Sequence, residues 1–353
     1  SCWYYLRYLD PRNNDVIVAP ESERYWMTTP KGDGSGEQAI GGVDLYVGGA
    51  EHAVLHLLYA RFWHKVLYDL GKVSTPEPFQ RLYNQGYIQA AAFTDDRGMY
   101  VPAAKIEEKD GEFYYESKPV NRVFGKMGKS LKNAVTPDEM CSEYGADTLR
   151  LYEMYMGPLD VSKPWNTRDI VGVHRFLQRL WRNLIDESTG ELLVTKSEAD
   201  AQLRKLLHRT IDGVRIDMEA LGFNTAIAKL IELNNALVPL DAIPEEVAVP
   251  LVKMLAPLAP HIGEELWKRM GNTSTIAYES YPTHDPSLLV ENEIEIPVMI
   301  NGKLRSRVNI SADADRNVQE EAARADEKIA QQLADKEIKK VIVVPGKMVN
   351  FVV

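Results

Sequence analysis

Two lysines in a glycine-containing segment are the residues of this chain best suited to bind phosphate. Lys126 and Lys129 lie within residues 124–135, which read Phe-Gly-Lys-Met-Gly-Lys-Ser-Leu-Lys-Asn-Ala-Val. Ammonium groups supply positive charge, and glycines let a polyanion approach the main chain. Residues 136–139, Thr-Pro-Asp-Glu, predict a capped helix whose start adds unpaired N–H groups. The segment is a candidate phosphate loop, and a solvated basic turn is the alternative.

A second candidate segment joins a predicted strand to a predicted helix. The strand Val43–Val47 runs into Gly48 and Gly49, and Ala53–Leu70 has the length and apolar content of a buried helix. Strand, glycine turn and helix form half of an α/β nucleotide-binding unit, whose ligands lie at the carboxyl ends of strands. Glu51 is then placed to accept hydrogen bonds from ribose hydroxyls.

Two histidines in the same segment leave more than one interpretation open. His52 and His56 are four residues apart and therefore share one helical face. A zinc site is one alternative, but no third ligand lies nearby, and Cys2 and Cys141 are far apart in sequence. Two histidines satisfied within the core are another alternative.

The amino-acid sequences of four segments resemble those of leucyl-tRNA synthetases. Residues 126–130, Lys-Met-Gly-Lys-Ser, are similar to the KMSKS loop of class I aminoacyl-tRNA synthetases, with Gly128 where Ser is usual. Residues 1–8, 48–62 and 144–151 are also similar to segments of the leucyl enzyme. The resemblance extends over almost the whole chain and identifies it as the C-terminal portion of a bacterial-type enzyme.

The resemblance implies three sets of site residues. The leucine pocket would be lined by Ser1, Tyr4, His52 and His56. ATP would contact Gly48, Gly49, Glu51, His52, Ile88, Lys126, Met127, Lys129 and Ser130, with Lys126 and Lys129 as the catalytic pair. Phosphates of tRNA(Leu) would contact Lys303, Arg305, Arg307, Lys339, Lys340 and Lys347, for which a solvated charged face is the alternative. Mg²⁺ would arrive bound to ATP, and no metal ligand set is expected in the protein.

The predicted architecture has three parts. Residues 1–157 resemble the second half of a Rossmann-like class I catalytic domain, of fold class α/β. Residues 158–288 predict an α-helical bundle that holds the anticodon stem, and residues 289–353 a small α+β tRNA-binding domain. In the first part, the polar stretch Val16–Gly42 predicts a surface insertion, and Asp110-Gly111 predicts a turn. In the last part, Asn301-Gly302 predicts a hairpin turn, and Val318–Leu333 predicts one amphipathic helix.

Composition favours a soluble cytoplasmic protein. The chain has 41 basic and 51 acidic residues, a formal charge of −10, and only two cysteines. No apolar run reaches the ~20 residues of a membrane span, and no signal peptide is visible. An acidic total does not exclude RNA binding, because phosphates respond to local basic patches.

The resemblance implies leucine–tRNA ligase activity in a longer enzyme. The HIGH motif of class I enzymes and an editing domain are expected in a missing N-terminal part, without which this portion would be inactive. A tRNA-binding module without catalysis is the alternative from another functional class. A valyl or isoleucyl enzyme is a third alternative, although those enzymes have a different sequence around the segment that corresponds to residues 48–52.

Overall fold

The computed structural model of the protein describes residues 2–28, 41–289, 293–311, 314–334 and 336–353. The chain divides into two compact units, residues 1–197 with 213–281, and residues 198–212 with 282–353. The predicted surface insertion Val16–Gly42 lies partly outside the described residues, and the three-domain division stays a prediction.

Short helices and strands alternate in the first part of the chain, and longer helices follow. The helices are α1 Tyr4–Arg7, α2 Pro20–Met27, α3 Tyr59–Asp69, α4 Pro137–Tyr144, α5 Ala146–Tyr155, α6 Ile170–Leu184, α7 Ala201–Ala220, α8 Phe223–Leu237, α9 Glu245–Leu255, α10 Pro260–Arg269, α11 Arg316–Ala325 and α12 Glu327–Leu333. The strands are β1 Tyr46–Val47, β2 Leu82–Tyr83, β3 Ile88–Thr94, β4 Tyr100–Val101, β5 Glu107–Lys109, β6 Glu112–Tyr115, β7 Lys118–Pro119, β8 Asn121–Lys126, β9 Lys163–Pro164, β10 Val194–Thr195, β11 Ile243–Pro244, β12 Glu293–Ile300, β13 Lys303–Ser311, β14 Lys340–Val344 and β15 Met348–Val352.

Strand β3 is the centre of the sheet that carries the predicted phosphate loop. It pairs antiparallel with β4 and β8 and parallel with β9. In this register Gln89 lies opposite Lys126, so β8 delivers the start of the loop beside the start of β3. A separate three-stranded sheet, β5-β6-β7, turns between its first two strands at Asp110-Gly111, as the sequence predicts.

The segment predicted as one buried helix from Ala53 to Leu70 is different in the structure. It is a π-helix, Ala53–Leu58, followed by α3. Only one face is buried, through Leu57, Ala60 and His64, and Leu55 is 83 % exposed. The segment carries more apolar residues than one helical face can bury, so the prediction of a buried helix is wrong.

The longer helices of the first unit form a bundle. Helix α6 buries residues at spacings of three and four, the period of an amphipathic helix, and packs against α5 and α8. Asn166 caps the 3₁₀ turn that leads into α6 by accepting from Arg168 N–H. Helix α9 packs against α8 and α10 in the same unit. Helix α7 begins in the second unit and ends in the first.

The second unit contains a four-stranded sheet in the order β13-β12-β15-β14. The hairpin turn predicted at Asn301-Gly302 is present, with both residues at positive φ. The single helix predicted over Val318–Leu333 is instead α11 and α12. Asp326 interrupts it because its side chain caps α12, accepting from Ile329 N–H, and also accepts from the Ser306 hydroxyl.

Candidate functional site

Three side chains meet where the glycine turn approaches the start of β3. Lys126 Nζ donates to Glu51 Oε1 at 2.9 Å, and the Tyr87 hydroxyl donates to Glu51 Oε2 at 3.0 Å. The Lys126 ammonium also lies 5.0 Å from the centre of the Tyr87 ring, within cation–π range. The two segments that the sequence singled out are therefore in direct contact through Lys126 and Glu51.

The Glu51 carboxylate is held strongly in its ionised form. The hydrogen bond from Lys126 is the largest cause, followed by the Glu51 backbone N–H and Tyr87, and together they lower the pKa of Glu51 to about 2. The Glu51 carboxylate lies against the preceding turn at Gly49. A Cβ added at Gly49 would lie only 2.0 Å from Glu51 Oε2. Glycine at 49 makes this close approach possible.

The predicted phosphate loop is tied to β3 by hydrogen bonds. Met127 N–H donates to the Ile88 carbonyl at 3.2 Å, and Gly128 N–H donates to Asn133 Oδ1 at 2.9 Å. The buried Asn133 in turn donates to the Ala90 carbonyl. The loop backbone is thus fixed at two points while its cationic side chains remain at the surface.

Lys129 and Ser130 of the loop are exposed. Lys129 and Ser130 begin a 3₁₀ turn, and in the described ranges no acidic side chain forms an ion pair with Lys129. The capping box predicted at Thr136 and Glu139 is present at the start of α4. A free ammonium beside a paired one leaves this loop able to accept an anionic group.

Two of the predicted leucine-pocket residues, Tyr4 and His56, lie together in an aromatic cluster. Tyr4 stacks on His56 with ring centres 5.8 Å apart, and the hydroxyls of Tyr4 and Tyr46 are in contact. The Tyr46 hydroxyl is also hydrogen-bonded to His56 Nε2 at 2.7 Å. Desolvation by burial and the neighbouring His52 lower the pKa of His56, which favours the neutral imidazole. Ser1 lies outside the described residues.

The polar groups of this cluster are only partly satisfied within it. His56 Nδ1 is buried and has no hydrogen-bond partner among the described residues. His52 is exposed at the start of the π-helix. Apolar ring faces with one unused polar atom suit a small ligand that carries an apolar side chain and a polar head.

Sequence reasoning missed three residues of this region: Tyr87, Asn133 and Tyr46. Each acts through a contact with a residue distant in sequence, so spacing gave no signal for it. The aromatic residue at 46, next to the glycine turn, and the polar residue at 87, next to the assigned Ile88, are the available hints.

The six basic residues predicted to contact tRNA are all exposed in the second unit. Lys339 N–H donates to the Val352 carbonyl, and Lys340 lies opposite Val352. Lys303 is the first residue of β13, directly after the turn that follows β12. These three lysines therefore lie at the same end of the sheet. Arg307 is on β13 and pairs with Glu295 at 2.9 Å. Lys347, in the β14–β15 turn, is at the opposite end of the sheet.

The described residues contain neither a metal-binding cluster nor a membrane-spanning helix. Across the described ranges, no three His, Cys, Asp or Glu side chains are grouped as a metal site, so His52 and His56 gain no third ligand there. None of the described helices combines the length and apolar character needed to cross a membrane.

Comparison with known proteins gives consistent results. Residues 200–321 match the family described as the anticodon-binding domain of tRNA ligase. The leucine–tRNA ligase of Salinispora tropica is 60 % identical over 352 residues, which are 100 % of this chain and 36 % of the relative. That of Corynebacterium efficiens is 58 % identical over 355 residues, 100 % of this chain and 37 % of the relative.

A solved structure is similar as well. The LeuRS of Agrobacterium radiobacter K84, in a ternary complex with tRNA and LeuAMS, matches with a TM-score of 0.65 and 28 % identity, over 99 % of this chain and 41 % of its own. The chain spans about a third of the length of the curated relatives it matches, in their C-terminal part. These findings confirm the resemblance to leucyl-tRNA synthetases and the mixture of helices and sheets.

Proposed function

We propose that this chain is the C-terminal part of a leucine–tRNA ligase and that the contact between the glycine turn and the phosphate loop is part of its ATP site. The observation that carries the proposal is the Lys126–Glu51 contact, since it joins a phosphate-binding cation to a ribose-binding carboxylate. The similarity of the whole chain to leucine–tRNA ligases supplies the substrate class.

The reaction has two steps. A carboxylate oxygen of leucine attacks the α-phosphorus of ATP, and pyrophosphate leaves to give leucyl-adenylate. A ribose hydroxyl of the terminal tRNA adenosine then attacks the leucyl carbonyl carbon, and AMP leaves. Transfers of this kind depend on positioning and charge stabilisation more than on covalent chemistry by the protein.

In this scheme the loop lysines act on the departing group. Lys126 and Lys129 stabilise the negative charge that grows on pyrophosphate, together with the Mg²⁺ that arrives with ATP. Gly48 and Gly49 let the nucleotide approach the main chain, and Glu51 accepts from the ribose hydroxyls. His52, Ile88, Met127 and Ser130 complete the proposed ATP contacts.

The leucine pocket is proposed at the aromatic cluster. Tyr4 and His56 provide the ring faces, and the buried His56 Nδ1 is available to a polar group of the ligand. The neutral state of His56 suits an uncharged hydrogen bond. Ser1 and His52 are proposed as further contacts on the basis of the family resemblance.

The finer architecture is part of the proposal. Residues 1–157 are taken as the second half of a Rossmann-like catalytic domain, 158–288 as the anticodon-stem bundle and 289–353 as the C-terminal tRNA-binding domain. The first half of the catalytic domain would be supplied by the remainder of the enzyme, acting in the cytoplasm. Exposed apolar residues on the π-helix and α3, among them Leu55, Leu58 and Phe62, are suited to burial against that remainder.

Binding of tRNA is proposed through both C-terminal regions. The match of residues 200–321 to an anticodon-binding family supports the first contact surface. The grouping of Lys303, Lys339 and Lys340 at one end of the sheet supports the second. A triple alanine variant at these three positions should weaken tRNA(Leu) binding and lower its salt dependence, whereas Lys347→Ala, at the other end, should have a smaller effect.

A pair of assays separates the ligase from a tRNA-binding module, the second candidate function that the anticodon-domain match favours. Filter binding measures tRNA(Leu) affinity, and leucine-dependent ATP–pyrophosphate exchange measures activation. The proposal expects exchange when the chain is joined to the remaining part of a related ligase. Binding of tRNA without exchange in that joined protein would instead support the module.

A further inference from the structure

Tyr87 occupies a position to which the proposed function assigns no role. It immediately precedes β3, and its side chain reaches the site from the strand side. Its hydroxyl donates to Glu51 Oε2 at 3.0 Å, and its ring lies under the Lys126 ammonium at 5.0 Å. It therefore touches both charged groups of the proposed ATP site.

Lys126 has two competing partners in that site. Without nucleotide it donates to Glu51, and its proposed role requires it to contact phosphate. Both side chains are accessible, at 63 % and 36 % exposure, so their ion pair is weak. A polyphosphate presents several negative charges to the same ammonium, so nucleotide binding should draw Lys126 away from Glu51.

Once Lys126 has moved, Glu51 needs another anchor. Oε1, which accepted from Lys126, is released at the moment when the ribose requires an acceptor. Oε2 remains hydrogen-bonded to Tyr87, and the carboxylate stays folded over Gly49. A phenylalanine at 87 would keep the ring beneath Lys126 but remove this second anchor.

We propose that Tyr87 is a positioning residue that holds Glu51 in place for the ribose hydroxyls while Lys126 transfers to the phosphates. The inference rests on the proposed function, since it presumes that this site binds ATP. Tyr87 acts through Glu51 and contributes no contact to the adenine or to the phosphates.

The test compares two nucleotides by calorimetry on the 353-residue chain joined to the remaining part of a related ligase, the form in which the proposed function expects activity. MgATP carries both ribose hydroxyls, and 2′,3′-dideoxy-ATP with Mg²⁺ carries neither. The measured quantity is the dissociation constant of the dideoxy nucleotide divided by that of MgATP. It is determined for wild type, Tyr87→Phe and Glu51→Gln. Tyr100→Phe, on β4 and outside this site, is the matched control.

The expected result is selective. Tyr87→Phe should weaken ATP binding by about three- to tenfold, the range for the net loss of one ordinary hydrogen bond at a solvent-exposed site, and should change the dideoxy nucleotide by less than about twofold. Glu51→Gln should reduce the same ratio, and Tyr100→Phe should leave it unchanged. The ring retained in phenylalanine separates the effect of the hydroxyl from that of the cation–π contact.

Other outcomes overturn the inference in distinguishable ways. Equal losses for both nucleotides in Tyr87→Phe would make Tyr87 a structural residue. Equal affinity of wild type for both nucleotides would show that Glu51 does not contact the ribose. A joined protein that binds neither nucleotide would remove the proposed ATP site itself, and the inference with it.

Discussion

Replacing Asp147 should measure how firmly the segment that follows the phosphate loop is tied to the bundle. Asp147 lies on α5 and is nearly buried, and its carboxylate reaches the first turn of α10. It accepts from Ile262 N–H at 2.8 Å, from His261 N–H at 3.3 Å and from His261 Nδ1 at 2.8 Å. It therefore caps a helix more than 100 residues away in sequence.

The magnitude follows from the groups left without a partner. Asp147→Ala removes the acceptor of two backbone N–H groups at the α10 start, where the loss of a capping side chain costs about 0.5–2 kcal/mol. The His261 imidazole is 75 % exposed and regains water, so its bond adds little. We expect the free energy of unfolding to fall by about 2 kcal/mol, and by about 1 kcal/mol for Asp147→Asn, which keeps one acceptor oxygen.

Urea unfolding followed by tryptophan fluorescence is the assay. All six tryptophans lie in the first compact unit, so their signal reports the unit that contains α5 and α10. Asp241→Ala, at an exposed position, is the control and should stay within about 0.5 kcal/mol of wild type. An Asp147→Ala midpoint equal to that of the control would refute the capping argument.

Two further changes test the site and its supports. Gly49→Ala should weaken ATP binding several-fold without moving the urea midpoint, since a Cβ there displaces only the Glu51 carboxylate; unchanged calorimetric affinity would contradict this. Arg61, and then Lys65, lower the pKa of Glu77 from 4.5 to about 2. A carboxyl whose pKa is lowered by folding stabilises the folded state at pH values above its unfolded pKa. Glu77→Gln should therefore lower Tm at pH 7. The difference in Tm from wild type should shrink as the pH falls from about 4.5 towards 2. A Tm difference that does not change with pH would count against that ion pair.

Local chemistry made several elements predictable. The capping box at Thr136, the turn at Asp110-Gly111 and the hairpin at Asn301-Gly302 each depend on a few adjacent residues with special backbone or side-chain preferences. The phosphate loop was predicted in the same way, from lysines and glycines within five residues, and its role stays a prediction. Its contact with Glu51 was expected only because both segments resembled one family.

Tertiary contacts explain what the sequence did not reveal. Asn133 fixes the loop through the backbone of Gly128 and Ala90, and Tyr87 reaches Glu51 from another strand, so neither role follows from spacing. The helix after the glycine turn was predicted to be buried because it is rich in apolar residues, yet burial depends on which surfaces are available to cover it. Asp326 lies inside the segment predicted as one helix and instead caps a new helix.

Pyrophosphate exchange by a chimeric ligase tests the central claim most directly. In the chimera, this chain replaces the matching C-terminal part of the Salinispora tropica leucine–tRNA ligase, which is 60 % identical to the chain. Lys129→Ala should lower the leucine-dependent exchange rate by about 10²- to 10³-fold, as expected for loss of a group that stabilises transition-state charge, while Lys105→Ala, an exposed lysine on another turn, should not. Exchange by Lys129→Ala at the wild-type rate would contradict the assignment of this loop to ATP.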